Sequence, residues 1–524
     1  MDFLVSITPI LSLFALMLIF RMSGWKSAVI TLAITVGLML LLSHRLGIVP
    51  SAYADAPILS LAAYGVLEGV LKAIFPILLI ILTALFSYNL LVESKQIDVI
   101  KQQISSLTDD KGISVLVLTW GFGGLLEGMA GFGTAVAIPA AILIGLGFKP
   151  FFSALVSLLA NTVATCFGAV GVSLITLCNE GSVGGMASPE MIREISVFAI
   201  LQLSPRFFLV PFAILMLTDK SAWLKNVILS LWVGSVSLGV QIICALYLGA
   251  ETPAIIGSIA AIFALIIASK FVKTKGKPQH KTSFKEFFTA WSVYIFILLL
   301  ILLSGPLCPP ANAFLKSHLV MNLSIPVLGT QFKFGWLSNA AVMILLGSIL
   351  GGLVQGVSLK KQLAVFAKTL IGLRYTTITI VCLISMASVM NYSGMITTIA
   401  SGMIALTGSY YPLFAPIIGA IGTFVTGSDT SSNILFAKLQ ASAAHHLGMT
   451  GTNTYLGVTG SETNWLLSAN STGATGGKMI SPQSVAIATA ACEMENSDAA
   501  LLRAALPYAL AYVAIGGLMV LLCQ

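Results

Sequence analysis

Leu413-Phe-Ala-Pro-Ile-Ile-Gly-Ala-Ile-Gly-Thr-Phe-Val425 is an apolar run that stops at Thr426-Gly-Ser-Asp-Thr-Ser-Ser-Asn433 and resumes as Ile434-Leu-Phe-Ala-Lys-Leu439. Small and polar residues fill the whole interval from Gly427 to Asn433. In a soluble protein such a stretch would be an ordinary surface turn. Inside a membrane it is tolerable only where its backbone is covered by protein or lines a cavity. The rest of the chain decides which solvent applies.

Hydrophobic residues make up 57% of the 524 positions and charged residues only 9%, too little polar surface to cover a soluble globule of that length. Apolar runs long enough to cross a hydrocarbon core recur at 4–20, 28–42, 73–91, 197–217, 227–248, 288–303, 340–353 and 504–522. They are continuous, not alternating, which excludes a β-barrel. The expectation is an all-α, polytopic transmembrane bundle of about 12–14 spans. The first cations, Arg21 and Lys26, follow the first apolar run, so that run reads as a retained span and not a removed signal. The formal net charge of +8 lies in short loops, which is where orientation signals sit, and no nucleic-acid partner is expected. The seven cysteines are scattered without a CxxC pair and read as packing residues.

Cations gather at 21–26, 93–111, 220–225, 270–285 and 360–368, the expected cytoplasmic side, which puts the N-terminus and residues 391–412 outside. The lysine-rich stretch 270–285 divides the chain into an N-terminal half, 1–269, and a C-terminal half, 286–524. The halves resemble each other. The same interval separates Lys72 from Asn89 and Arg374 from Asn391, and each asparagine adjoins a tyrosine, Tyr88 or Tyr392. Gly123-Gly124-Leu-Leu-Glu127-Gly128 then corresponds to Gly422-Thr423-Phe-Val-Thr426-Gly427, and Ala160-Asn161-Thr162 with Gly168 to Ala469-Asn470-Ser471 with Gly476-Gly477. The segment after Asn89 carries Lys95, Lys101 and Lys111, while that after Asn391 carries no cation to Pro412. The two copies are therefore read as inverted. Inverted repeats with broken or re-entrant helices are the design by which secondary transporters build a midplane site and alternate its exposure.

The candidate site follows from those breaks. The hydroxyls of Ser428, Thr430, Ser431 and Ser432 and free amides at a helix start suit a carboxylate. Asp429 fits beside an anion only when protonated, the behaviour required of a proton-coupling acid. Asn470-Ser-Thr-Gly-Ala-Thr-Gly-Gly-Lys478 lacks the glycine spacing and following hydroxyl of a phosphate loop; as a broken helix it offers Asn470, Thr472 and the cation Lys478. Asn161 and Thr162 are their first-half counterparts. Glu127, among glycines inside an apolar run, needs a partner, a proton or water, and is the second candidate coupling acid. Lys72 and Arg374 could balance buried carboxylates. His445-His446 has no ligand-spaced neighbour, so no metal and no cofactor are expected, and no catalytic constellation such as GxSxG or HExxH is present.

Glu127-Gly-Met-Ala-Gly-Phe-Gly-Thr-Ala-Val-Ala-Ile138, Gly145-Leu-Gly-Phe-Lys-Pro150, Asn391-Tyr-Ser-Gly394, Thr426-Gly-Ser-Asp-Thr-Ser-Ser-Asn433 and Gly477-Lys-Met-Ile-Ser-Pro-Gln-Ser484 resemble, in order, the signature stretches of the L-lactate permease family. The resemblance implies a multi-pass inner-membrane permease that takes up L-lactate, and with it D-lactate or glycolate, by proton symport. It departs from the family at Met129, Ala135 and Ala164 and by an inserted stretch around 450–463. Uptake or exchange of another small mono- or dicarboxylate, or an anion channel, are the alternative readings.

Overall fold

The computed structural model describes residues 2–20, 22–43, 49–50, 56–105, 108, 110–129, 131, 133–182, 186–271, 283–304, 308–325, 330–337, 339–494 and 497–523. Most of the basic linker expected at 270–285 lies outside them. Among the described residues the chain is helical apart from two antiparallel hairpins, Val320–Ile325 with Thr330–Gly335 and Thr452–Tyr455 with Val458–Ser461. The second of these is the inserted stretch. Among the described residues ten helical runs are long and apolar enough to cross a membrane, with shorter apolar helices between them.

Local sequence explains where many helices begin. Ser188 and Ser481 each stand before a proline and accept a backbone N–H three residues on, from Met191 and Ser484. A hydroxyl acceptor at the cap and proline in the first turn satisfy the same exposed donors.

Four broken segments organise the interior. Lys111–Met129 and Thr134–Gly145 form a first re-entrant hairpin, closed tightly enough that a Cβ at Gly123 would lie 3.2 Å from the Ala135 carbonyl oxygen. Tyr411–Thr426 and Asp429–His446 form the second, tied by Ser432 Oγ donating to the Gly419 carbonyl at 2.7 Å and Gln440 Nε2 to that of Ala415 at 3.1 Å. Their tips turn on left-handed glycines, Gly131 and Gly133 in one and Gly427 in the other. Pro150–Ala160 and Gly168–Gly181 make a first broken span, and Glu462–Lys478 and Pro482–Ala491 a second.

The hairpins enter from opposite ends. Pro189–Thr218 is a single helix of 30 residues, roughly 45 Å long, and serves as a ruler. At its C-terminal end lie the base of the first hairpin, where a Cβ on Gly112 would reach Leu215, and the adjoining Asp110–Lys225 ion pair at 2.5 Å. At its N-terminal end Glu194 accepts the Ser461 N–H and Phe198 packs edge-on against Tyr455, beside the base of the second hairpin. Lys361 pairs with Glu93 at 2.9 Å, and with Lys111 and Lys225 it makes this the lysine-rich end.

Two contacts fix the interior further. Tyr411–Thr426 and Glu462–Lys478 run side by side in one direction, with backbone on backbone: a Cβ on Gly473 would lie 1.9 Å from the Pro416 carbonyl oxygen and one on Gly477 2.1 Å from that of Ala420. Small residues at helix contacts permit such an approach. These glycines therefore do not break their helix, as the sequence suggested. The helix continues through Asn470 to Lys478 and the break falls at residues 479–481. In the first half the equivalent break is the 3-10 turn Val163–Phe167 followed by left-handed Ala169, Val170 and Gly171.

Candidate functional site

The two tips and both breaks converge on one cavity of about 500 Å³. Glu127, Gly131, Gly133 and Gly168 line it from the first half, and Thr426 to Ser431, Lys478 and Gln483 from the second. Its mouth is at the lysine-rich end, where Trp25 and Tyr375 stack with centroids 5.4 Å apart and line the same space.

Asp429 opens the helix that leaves the second tip. Ser428 caps that helix by accepting the Ser431 N–H at 3.2 Å. The Asp429 carboxylate is buried, and its Oδ2 accepts Ser173 Oγ–H at 2.5 Å and Ser471 Oγ–H at 3.2 Å, one from each half of the chain. Its Oδ1 has no hydrogen-bond partner among the described residues. One turn on, Asn433 Nδ2 donates to Ser173 Oγ at 3.0 Å and to Ser471 Oγ at 3.2 Å, while its Oδ1 accepts Asn470 Nδ2–H at 2.9 Å. Gln440 and Tyr411 extend this network away from the cavity, Gln440 Nε2 reaching Asn470 Oδ1 at 3.3 Å and Tyr411 OH reaching Gln440 Oε1 at 3.0 Å. Apart from Asp429 Oδ1, the polar groups named in this network are partnered, and such a network holds the helices in register and orients the acid.

Across the cavity Lys478 Nζ donates to Glu127 Oε1 at 2.6 Å, joining hairpin one to broken span two. Both side chains are at most 10% exposed. Gly168 permits the pair, since a Cβ there would stand 2.9 Å from Glu127 Oε1. An ammonium has three donors, so Lys478 retains donors beyond this bond, and Glu127 Oε2 has no partner among the described residues. The cavity wall thus offers hydroxyls, a helix N-terminus and a lysine, together with two carboxylates that each keep one unpartnered oxygen.

Of the residues singled out from sequence, Ser428, Thr430, Ser431, Asp429, Glu127 and Lys478 line the cavity. Ser432 bonds a neighbouring helix, Thr472 donates to Gln202 Oε1 at 3.0 Å, and Thr162 donates to the Leu159 carbonyl of the helix just before it, 2.9 Å away. Asn470 is held in the network behind Asp429, and neither it nor Asn161 is among the cavity-lining residues. Lys72 is not beside Glu127; it pairs with Glu68 at 2.8 Å, one helical turn away in its own helix. Arg374 sits exposed at a helix start, its guanidinium 4.7 Å from the Tyr375 ring centroid. Lys72 thus balances a buried carboxylate within its own helix, and Arg374 meets a ring at the next position in the chain. Ser173 is the functional residue that sequence reasoning passed over; a serine between Val172 and Leu174 in an apolar helix gives no signal of its own. Arg206, wholly buried with Nε and Nη2 donating to the Tyr512 carbonyl, stands inside the run 197–217, whose apolar character hides it.

Opposed hairpins whose tips meet at a polar cavity in an apolar bundle define a multi-pass membrane transporter, not an enzyme. The comparisons agree. The sequence matches the L-lactate permease family over residues 2–524, and the chain belongs to that family. It is 37% identical to the L-lactate permease of Streptococcus iniae, over 85% of this chain and 91% of that one. It is 33% identical to the glycolate permease GlcA of Escherichia coli K12, over 99% of this chain and 95% of that one. In fold it is similar to the YdaH transporter of Alcanivorax borkumensis, with a TM-score of 0.54 at 14% identity, covering 94% of this chain and 98% of that one. MtrF of Neisseria gonorrhoeae gives a TM-score of 0.50 at 13% identity, with 95% and 96% covered.

Proposed function

We propose that this permease takes up L-lactate and glycolate across the inner membrane together with a proton, by alternating access, with its lysine-rich end in the cytoplasm. The relatives' names support the substrate class. The observation that carries the coupling is Asp429 at the anion cavity, with Oδ1 unpartnered and Oδ2 held by two hydroxyls. The Glu127–Lys478 pair is neutral as a whole, so the state of Asp429 decides the net charge an arriving anion meets. Two like unit charges 4 Å apart cost on the order of 4 kcal/mol at an effective dielectric of 20, about three decades of affinity. A carboxylate substrate and an ionised Asp429 therefore exclude each other, and a proton on Asp429 removes the conflict.

In this reading the substrate carboxylate takes the N-terminus of the Asp429–His446 helix, the hydroxyls of Ser428, Thr430 and Ser431, and the spare donors of Lys478. The 2-hydroxyl donates to Glu127 Oε2, which fits better than Asn161 or Asn470, since neither lines the cavity. The decisive experiment is uptake of labelled L-lactate into proteoliposomes with and without an imposed pH gradient. Accumulation only when the outside is acidic supports symport; accumulation that ignores the gradient rejects it.

A further inference from the structure

The helix Gly168–Gly181 carries Ser173, Thr176 and Glu180 at positions i, i+3 and i+7, one stripe of its surface. Ser173 bonds Asp429, and Glu180 lies about 10 Å further on, toward the end away from the cavity mouth. Three features of this stripe bear on proton movement. Thr176 is wholly buried, yet its hydroxyl has no hydrogen-bond partner among the described residues. Thr35, Thr119 and Thr369, also buried in helices, return the hydroxyl to the carbonyl four residues back at 2.7–2.8 Å, while Thr31 and Thr423 share the unpartnered state of Thr176. Glu180, 1% exposed, stands one residue from a helix C-terminus, where the backbone dipole opposes a carboxylate. Ser173 Oγ donates to Asp429 and accepts from Asn433, which leaves one lone pair unused.

The charges facing Glu180 come from two other helices. Lys438 Nζ, in the helix that begins with Asp429, is 3.4 Å from Glu180 Oε2. Lys72, in Ile58–Lys72, interacts electrostatically with Glu180 while paired to Glu68, which Tyr392 also bonds. Facing Asp429 are Ser471, the Glu127–Lys478 pair and the Cys166 thiol, 3.4 Å from Ser471 Oγ.

We infer that Glu180 is a proton-loading group and that Thr176 and Ser173 form the route by which its proton reaches Asp429, so that proton and anion enter the site by different paths. The inference rests on the symport reading and adds to it the residues of the route. Glu180 takes a proton from the far side and becomes neutral. Thr176 accepts that proton on its oxygen while releasing its own, Ser173 does the same, and Asp429 Oδ2 receives it; Glu180 returns to the carboxylate, again balanced by Lys438. In the state seen here Thr176 bonds neither neighbour, and the route is broken. That break is required: with the cavity open at the lysine-rich end, a continuous route would let protons pass without substrate. The route joins only when the cavity is closed at that end.

Thr176→Val tests this without disturbing the fold. It keeps the shape and removes a hydroxyl that makes no bond in this state, so thermal stability should hold or rise. In proteoliposomes, uptake of labelled L-lactate driven by a pH gradient should fall by at least about tenfold, while exchange between lactate-loaded vesicles stays within about twofold. Thr176→Ser should restore driven uptake. A paired Glu180→Gln, Lys438→Gln variant, which strands no lone charge, should show the same split and decides the matter should the valine variant fail to reach the membrane. Wild-type driven uptake in Thr176→Val, or equal loss of driven uptake and exchange, overturns the route. Failure of the symport reading is separately visible, as unmodified protein that ignores the gradient.

Discussion

The two hairpin tips are related by the repeat, yet they bring different chemistry to the cavity. The second tip turns at Gly427 into an 18-residue helix whose first residues are Asp429, Thr430 and Ser431, so free amides, hydroxyls and an acid arrive together. The first tip leads from Gly133 into Thr134–Gly145, an apolar helix, and its acid, Glu127, stands before the turn and is already paired with Lys478. The repeat duplicated the backbone, and the side chains then divided the work. One tip brings hydroxyls, free amides and an unpaired acid, while the other supplies an ion pair whose lysine belongs to the opposite half. Their seats differ as well. Hairpin two rests on broken span two by glycine against main-chain oxygen, whereas hairpin one rests on Pro253–Ser269 by glycine against side-chain atoms, Gly124 on Ser258 Oγ and Gly121 on Ile262.

The largest expected effect lies in the second tip. Asp429→Asn holds the site in the form of its neutral acid, and it should retain lactate exchange while abolishing accumulation driven by a pH gradient. Glu127→Gln should keep that pH dependence, because its partner, not its proton, is its role; a loss of gradient response in Glu127→Gln would reverse the assignment of the two acids. Lys478→Ala removes a charged donor from the anion and leaves Glu127 unpaired. Its apparent substrate affinity should fall roughly ten- to a hundred-fold, the equivalent of about 1.5–3 kcal/mol, as read from the concentration dependence of exchange. The seats give the next contrast. Gly124→Ala meets a serine hydroxyl that can rotate aside and should cost about 1 kcal/mol, the low end of overpacking, while Gly473→Ala meets a carbonyl oxygen of the main chain and should cost about 3 kcal/mol or more, compared by thermal melting in detergent. Smallest should be Thr430→Val, which removes one of several hydroxyl donors to the substrate carboxylate, with roughly a ten-fold loss of affinity, the low end for a hydrogen bond to a charged group.

The lysine clusters, the glycine-rich interruptions and the paired landmarks made the bundle, its inversion and its meeting point legible in advance. A polar, glycine-rich stretch within an apolar run has few places to go, and Thr426–Asn433 and Glu127–Thr134 both go to the cavity. The reading went astray where glycine has a second use. Gly473, Gly476 and Gly477 look like a helix break and are instead a packing face, because whether glycine breaks a helix or lets another backbone approach depends on what lies opposite it.

The sequence by itself determined the solvent, the helical class, the orientation signal, the repeat and the cluster of hydroxyls about Asp429, since all of these depend on residue type and on spacing within one or two turns. Only the tertiary structure decided which acid meets which cation, that Ser173 holds Asp429, that Asn470 stands behind the site and not in it, and that Lys72 serves a separate cluster with Glu68, Glu180 and Lys438. The physical reason is that a buried charge must find a partner, yet the requirement is equally well met by any partner the fold brings within reach. Glu127 and Lys478 stand 351 positions apart in the chain, and no local pattern records so long a pairing.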